Sequence, residues 1–230
     1  MLFDLRGRGR RRTVQVIYVG LALLMGGGLL LFGIGSSSSG GLFDAFSSNT
    51  SSAPATKTLD KRVKAALTKT QTHPKDADAF AQLAILRFQR ANLDGIAADG
   101  TYTSDGKQRL ALAAAAWQQH LALNPKQPNV RAANLMVQAY GTGALDQLAK
   151  AVSAKLIVAA ATKPPTTNVY QQLAALAYQA KQNRVGDLAA NRAVELASPS
   201  QRKQLRSALT LFKKQAAANA ALAASTTTTG

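Results

Sequence analysis

Six residues after Pro74 the chain reads Phe80-x-x-Leu83-Ala84 with Phe88 behind it. Six residues after Pro164 it reads Tyr170-x-x-Leu173-Ala174 with Tyr178 behind it. An aromatic, a leucine and a small residue at one internal spacing, each set introduced by a proline, point to a domain assembled from repeated units. The prolines keep the interval: Pro74 to Pro125 is 51 residues, Pro125 to Pro164 is 39 and Pro164 to Pro199 is 35. Against a unit of about 34 residues, the first interval carries a long excess, which falls around Asn92 to Gly106.

Helical punctuation recurs between these marks. Leu59, Val63, Ala66 and Leu67 form an apolar stripe that ends before Pro74, and Asp76 or Asp78 can cap a second helix carrying Phe80, Leu83, Ala84 and Phe88. A third helix is expected from Asp105 to Leu123 on the stripe Leu110, Ala113, Trp117 and Leu121, and a fourth from Val130 to Tyr140, stopping at Gly141-Thr142-Gly143. The fifth runs from Ala144 to Ala161, the sixth from Asn168 to Lys181 and the seventh from Val185 to Ala197. Pro199 suits the first position of an eighth, with the stripe Leu205, Leu209 and Phe212. Alanine dominates the second half and no strand-length alternation stands out, so the domain reads as all-α.

These residues resemble the tetratricopeptide repeat family, whose pattern is W-x2-L-G-x2-Y, then A-x3-F, then P. The first unit supplies Phe80, Leu83 and Ala84, then Ala113-x3-Trp117 and Pro125. The third supplies Tyr170, Leu173 and Ala174, then Gly186, Ala193 and Pro199. Arg87 and Ala177 stand at the tyrosine position, and in the middle unit Arg131 and Asn134 fall where an aromatic and a leucine belong. The resemblance implies a short α-solenoid of about three helix pairs with flanking helices, over residues 58–222. It also implies a concave face lined by the first helix of each pair.

Ahead of the repeats lies a different kind of sequence. Five arginines, Arg6, Arg8, Arg10, Arg11 and Arg12, precede an uncharged run whose most apolar part, Val14 to Ile34, is 21 residues long. As a helix it would cover roughly 30 Å, the thickness of a bilayer's hydrocarbon core. A cleaved secretory signal has an apolar region of only about 7–15 residues followed by a small-residue site, so an uncleaved anchor is the expectation. The arginines resist translocation, which places residues 1–13 in the cytoplasm, 14–34 in the membrane and the remainder outside. Residues 35–57, rich in Ser, Gly and Thr, read as a flexible linker, and 223–230 as a disordered tail. One span followed by an external repeat domain is similar in layout to the ancillary subunit of the bacterial SecYEG translocon.

The chain has no cysteine, which excludes disulfides, thiolate metal sites and cysteine nucleophiles. Its net charge is +17; from Lys57 onward 23 basic residues face nine acidic ones, a surface that attracts anionic polymers or lipids. Nucleic acid is the least favoured anion if the domain is external.

A search for chemistry finds none. Asp94-Gly95, Asp99-Gly100 and Asp105-Gly106 lack both the spacing and the closing glutamate of a calcium loop, and read as turns with a Thr103 or Ser104 cap. Glu195 is the only glutamate, so paired acids are hard to assemble. His73 and His120 read as surface or packed residues, and no phosphate loop or nucleophile elbow is present. No catalytic residue, metal site or cofactor is expected. What remains is the groove that the resemblance implies. There the register exposes Ile85 and Phe88, then Asn129, Met136 and Tyr140, then Asn168, Gln171 and Tyr178, with amides for a peptide backbone and Met and Tyr for apolar contact. The expected function is a membrane-tethered, non-enzymatic scaffold that binds an envelope polypeptide in this groove. The alternative is an electrostatic tether to anionic cell-wall polymer or lipid.

Overall fold

The computed structural model describes residues 52–226, and these are all-helical. In chain order the helices are α1 (Ser52–Thr72), α2 (Ala77–Asp94), α3 (Ser104–Ala122), α4 (Val130–Ala139), α5 (Leu148–Ala161), α6 (Thr167–Gln179), α7 (Asn183–Leu196) and α8 (Pro199–Thr226). The predicted span 14–34 and the arginines before it lie outside the described residues. None of the described helices is long and apolar enough to cross a membrane.

Neighbours in sequence are neighbours in space. The most extensive contacts are α2 with α3, α6 with α7 and α4 with α5; α1 lies on α2, and α8 on both α6 and α7. Alanine makes these approaches possible: Ala81, Ala84, Ala113, Ala132, Ala133, Ala151, Ala174 and Ala193 have no exposed surface. Larger groups fill the space between pairs and form two apolar clusters. Phe88, Leu110, Trp117, Met136 and Tyr140 anchor one, Leu173, Tyr178, Val194 and Leu209 the other. Helix α5 belongs to both, giving Ala151, Ala154 and Val158 to the first and Val152 and Ala159 to the second.

Three caps set the register. The side chains of Asp76, Asn129 and Thr166 accept the backbone N–H of Ala79, Ala132 and Val169, and so start α2, α4 and α6. Seven positions beyond each cap stand Leu83, Met136 and Leu173, all buried, and four positions beyond stand Phe80, Ala133 and Tyr170. The middle helix therefore keeps the internal repeat. Its leucine-like position is Met136, and Arg131 and Asn134, which spacing from the prolines assigned to core positions, are exposed. The α3–α4 connection causes the offset, because Asn129 lies four residues after Pro125 whereas Asp76 and Thr166 lie two residues after Pro74 and Pro164. Gly143 and Asp146 both take positive φ, and Asp146 accepts the Gly143 N–H, so α5 starts at Leu148 rather than Ala144.

The long first connection is a closed loop. Ile96 and Tyr102 form an isolated antiparallel bridge, and the Gly95 carbonyl accepts from the Thr103 N–H. A β-carbon on Gly106 would stand 2.1 Å from the Gly95 oxygen, so the loop's two ends pass at a distance that only glycine allows. Helix α1 begins inside the segment assigned to the linker, and α8 runs to Thr226, into the segment assigned to the tail. The end of α8 is rich in alanine, the best helix former.

Candidate functional site

Five of the eight groove candidates are packed inside the molecule. Ile85, Phe88, Met136 and Tyr140 sit in the first apolar cluster and Tyr178 in the second, none more than 5% exposed. Asn129 is half-buried and spends its side chain on the α4 cap. Only Asn168 and Gln171 are exposed. Two causes account for the difference. The cap-based register turns Met136 inward, and the terminal helices cover the first-helix faces at either end, α1 over α2 and α8 over α6.

The buried candidates are structural joints. Tyr178 donates from its hydroxyl to Asp187 (2.9 Å), and Lys213 donates to both oxygens of that carboxylate (2.7 and 2.8 Å), so α6, α7 and α8 meet in one polar knot. Burial first, then the neighbouring carboxylate, pushes the Tyr178 hydroxyl far above its ordinary range. The Lys213 ammonium, followed by the Tyr178 hydroxyl, holds Asp187 below the usual carboxylate value. The Tyr140 hydroxyl accepts from Gln118 (3.1 Å) and joins α3 to the end of α4.

His120 is a joint of the same kind. It has no exposed surface and stacks on Trp117 with ring centroids 5.1 Å apart. Its Nδ1 donates to the Ala77 carbonyl (2.8 Å), and its Nε2 accepts the Asn129 N–H (3.0 Å), which fixes the neutral tautomer. The imidazole ties α3 to the start of α2 and to the cap of α4. The Asp-Gly steps are likewise structural: Asp94 pairs with Arg90 (2.5 Å) and Arg109 (2.6 Å), Asp105 with Arg109 (2.6 Å), and Asp99 accepts from Thr101 within its turn. Among the described residues no cluster of His, Asp and Glu could hold a metal ion.

Three features remain outside these joints. One is an open cleft of about 310 Å³ between α1 and α2, with Leu86 on its floor and Arg62 and Lys69 at its rim. Another is Lys155, 7% exposed, flanked along α5 by Ala151, Val152, Val158 and Ala159, all buried. Its ammonium donates to Gln172 of α6 (2.5 Å), and no salt bridge to it is found among the described residues; burial lowers its pKa from the ordinary lysine value.

The third is a pair of exposed polar ridges, one on α4 and one on α6. Arg131, Asn134 and Gln138 are exposed on α4, and Asn168 and Gln171 on α6. Counted from the caps, Arg131 matches Asn168 and Asn134 matches Gln171, so the two helices present polar groups at equivalent positions. Sequence reasoning missed the α4 members because it set the middle unit by the prolines. Asn129 followed by a helical run carried the signal that would have found them.

Comparisons of this chain with protein-family models, with curated proteins and with solved structures give no match.

Proposed function

We propose that the chain is a membrane-tethered, non-enzymatic scaffold that binds another envelope polypeptide through the exposed polar ridges of α4 and α6. The observation that carries the reading is the set of exposed amides Asn134, Gln138, Asn168 and Gln171, two pairs at helical spacing on first helices started by equivalent caps. An amide offers both a donor and an acceptor, which suits the backbone of an extended segment, and Arg131 beside them favours an acidic one. The three cap-aligned helix pairs support a tetratricopeptide-like array with α1 and α8 as flanking helices. The anchor at 14–34 and the external position of the domain come from the length of the apolar run and the arginines before it.

Photo-crosslinking in intact cells tests the reading. A crosslinker at Gln138 should repeatedly capture one polypeptide, and the same group at Leu112, exposed on α3, should not. Asn134→Ala with Gln171→Ala should reduce that capture several-fold without changing the melting temperature. Capture that is equal at both sites, or indifferent to the double substitution, would rule out this face.

A further inference from the structure

Helix α8 carries five cations, Arg202, Lys203, Arg206, Lys213 and Lys214, and no acid over its entire length. At 100° per residue these five fall within about a third of the helix circumference, beside the packed stripe of Leu205, Leu209, Phe212 and Ala216. The bond from Lys213 to Asp187 (2.7 Å) brings that sector against α7. On α7 the residues next to Asp187 on the outward ridge are Arg184 and Leu188, one turn apart. Arg184, Lys203, Arg206 and Lys214 are exposed on these two helices; on α7 Leu188, 64% exposed, lies one turn from Arg184, and on α8 Leu211, 57% exposed, lies about 60° beyond Lys214 at the edge of the charged sector. The nearby acids are already neutralised, Asp187 by Lys213 and Glu195 by Arg192 (2.9 Å). Arg202 donates to the carbonyls of Ala197 and Glu195 and so fastens the start of α8.

We propose that this α7–α8 face lies on an anionic phospholipid surface, the cations on the head groups and Leu188 and Leu211 at the acyl boundary. Free charge on one side fits any polyanion. The two exposed leucines at the edges of the charged sector favour lipid, because a soluble polyanion gives them nothing apolar to enter. The face is separate from the α4–α6 surface, and the inference does not rest on the scaffold reading.

The chain lacks cysteine, so Ser207→Cys places a single polarity-sensitive fluorophore on α8 beside the cations, and Ala115→Cys on α3 serves as control. The full chain is reconstituted in vesicles of phosphatidylcholine and in vesicles where phosphatidylglycerol replaces about a third of it. The Ser207 probe should shift to the blue only with phosphatidylglycerol, while the Ala115 probe stays unchanged. The shift should fall at least several-fold in Lys203→Gln/Arg206→Gln/Lys214→Gln and in Leu188→Ser/Leu211→Ser, with circular dichroism showing each variant folded. These substitutions leave the Arg202 and Lys213 bonds in place. Equal shifts in the two vesicle types, or equal shifts at the two probes, would overturn the proposal. So would a response to soluble polyphosphate that ignores the leucine pair, which would assign the face to an anionic polymer instead.

Discussion

An alanine at Gly186 would gain about 1 kcal/mol of helix propensity. Its methyl would also stand 2.4 Å from Cε1 and 2.5 Å from Cδ1 of Tyr178, a ring that is 5% exposed and held by Asp187. Overpacking of this kind costs about 1–3 kcal/mol, so the clash should win. Gly186→Ala should lower the denaturation midpoint by about 1 kcal/mol of stability, measured by urea titration of the helical signal. Lys155 presents the opposite case, a residue whose removal should help. Its pKa is lowered in the folded chain from the ordinary value of 10.5, so the unfolded chain binds the proton more tightly. Stability should therefore rise with pH between the lowered value and 10.5, and the burial penalty should be constant below that window. Lys155→Met should stabilise by about 1–2 kcal/mol at neutral pH, and the gain should fade as pH climbs through the window. A Met variant whose advantage does not change with pH would place the penalty elsewhere.

At the scale of the element, the caps rather than the prolines say which face of a helix is buried. Asn129 fixes α4 so that Met136 has no exposed surface while Asn134, two residues away, faces solvent. Met136→Asp should cost several kcal/mol, because it buries an unpaired charge in the first cluster. Asn134→Asp should stay within about 0.5 kcal/mol, as substitutions on an open face do. Thermal melts of the two variants compare the registers directly, and similar losses would restore the proline-based one. The Asp-Gly connection is tied at both ends by Arg90 and Arg109. The arginine side chains are 15% and 26% exposed and the aspartates 43% and 61%; partly exposed pairs of this kind contribute about 1 kcal/mol each, so they position the loop more than they stabilise it.

Across the whole molecule, charge and topology have separate consequences. Six of the nine acids from Asp60 to Glu195 are held in ion pairs, so most of the 23 basic side chains from Lys57 onward have no acid partner among the described residues. Attraction to anions should accordingly be long-ranged and should weaken as salt shortens the screening length from about 10 Å at 0.1 M. Topology is testable without any partner. A reporter active only outside the cytoplasm, fused to the carboxy terminus, should be active in cells. Replacing Arg6, Arg8, Arg10, Arg11 and Arg12 with uncharged residues should reduce that activity, because the charge asymmetry across the proposed span would be lost. Activity only from a cytoplasmic reporter would remove the envelope from every proposal made for this chain.

The all-helical class was legible in the residues themselves. Alanine-rich stretches, prolines between them and caps such as Asp76 act locally, and local chemistry is enough to say where a helix starts and stops. The predicted boundaries accordingly fall within a few residues of those observed for α3, α4, α6 and α7, and α2 starts at the predicted Asp76 cap. The repeated aromatic–leucine–alanine spacing likewise marked Leu83 and Leu173 as core positions, and both are 2% exposed. Which groups face outward was not legible. Tyr140 and Tyr178 read equally well as ligand contacts or as core, and only the approach of neighbouring helices, α8 above all, encloses Tyr178. His120 carries no sign in the sequence that its two nitrogens will meet Ala77 and Asn129, residues from two other helix starts. Helix formation depends on neighbours in the chain, whereas burial depends on which other helix arrives, and that is decided only when the helices pack.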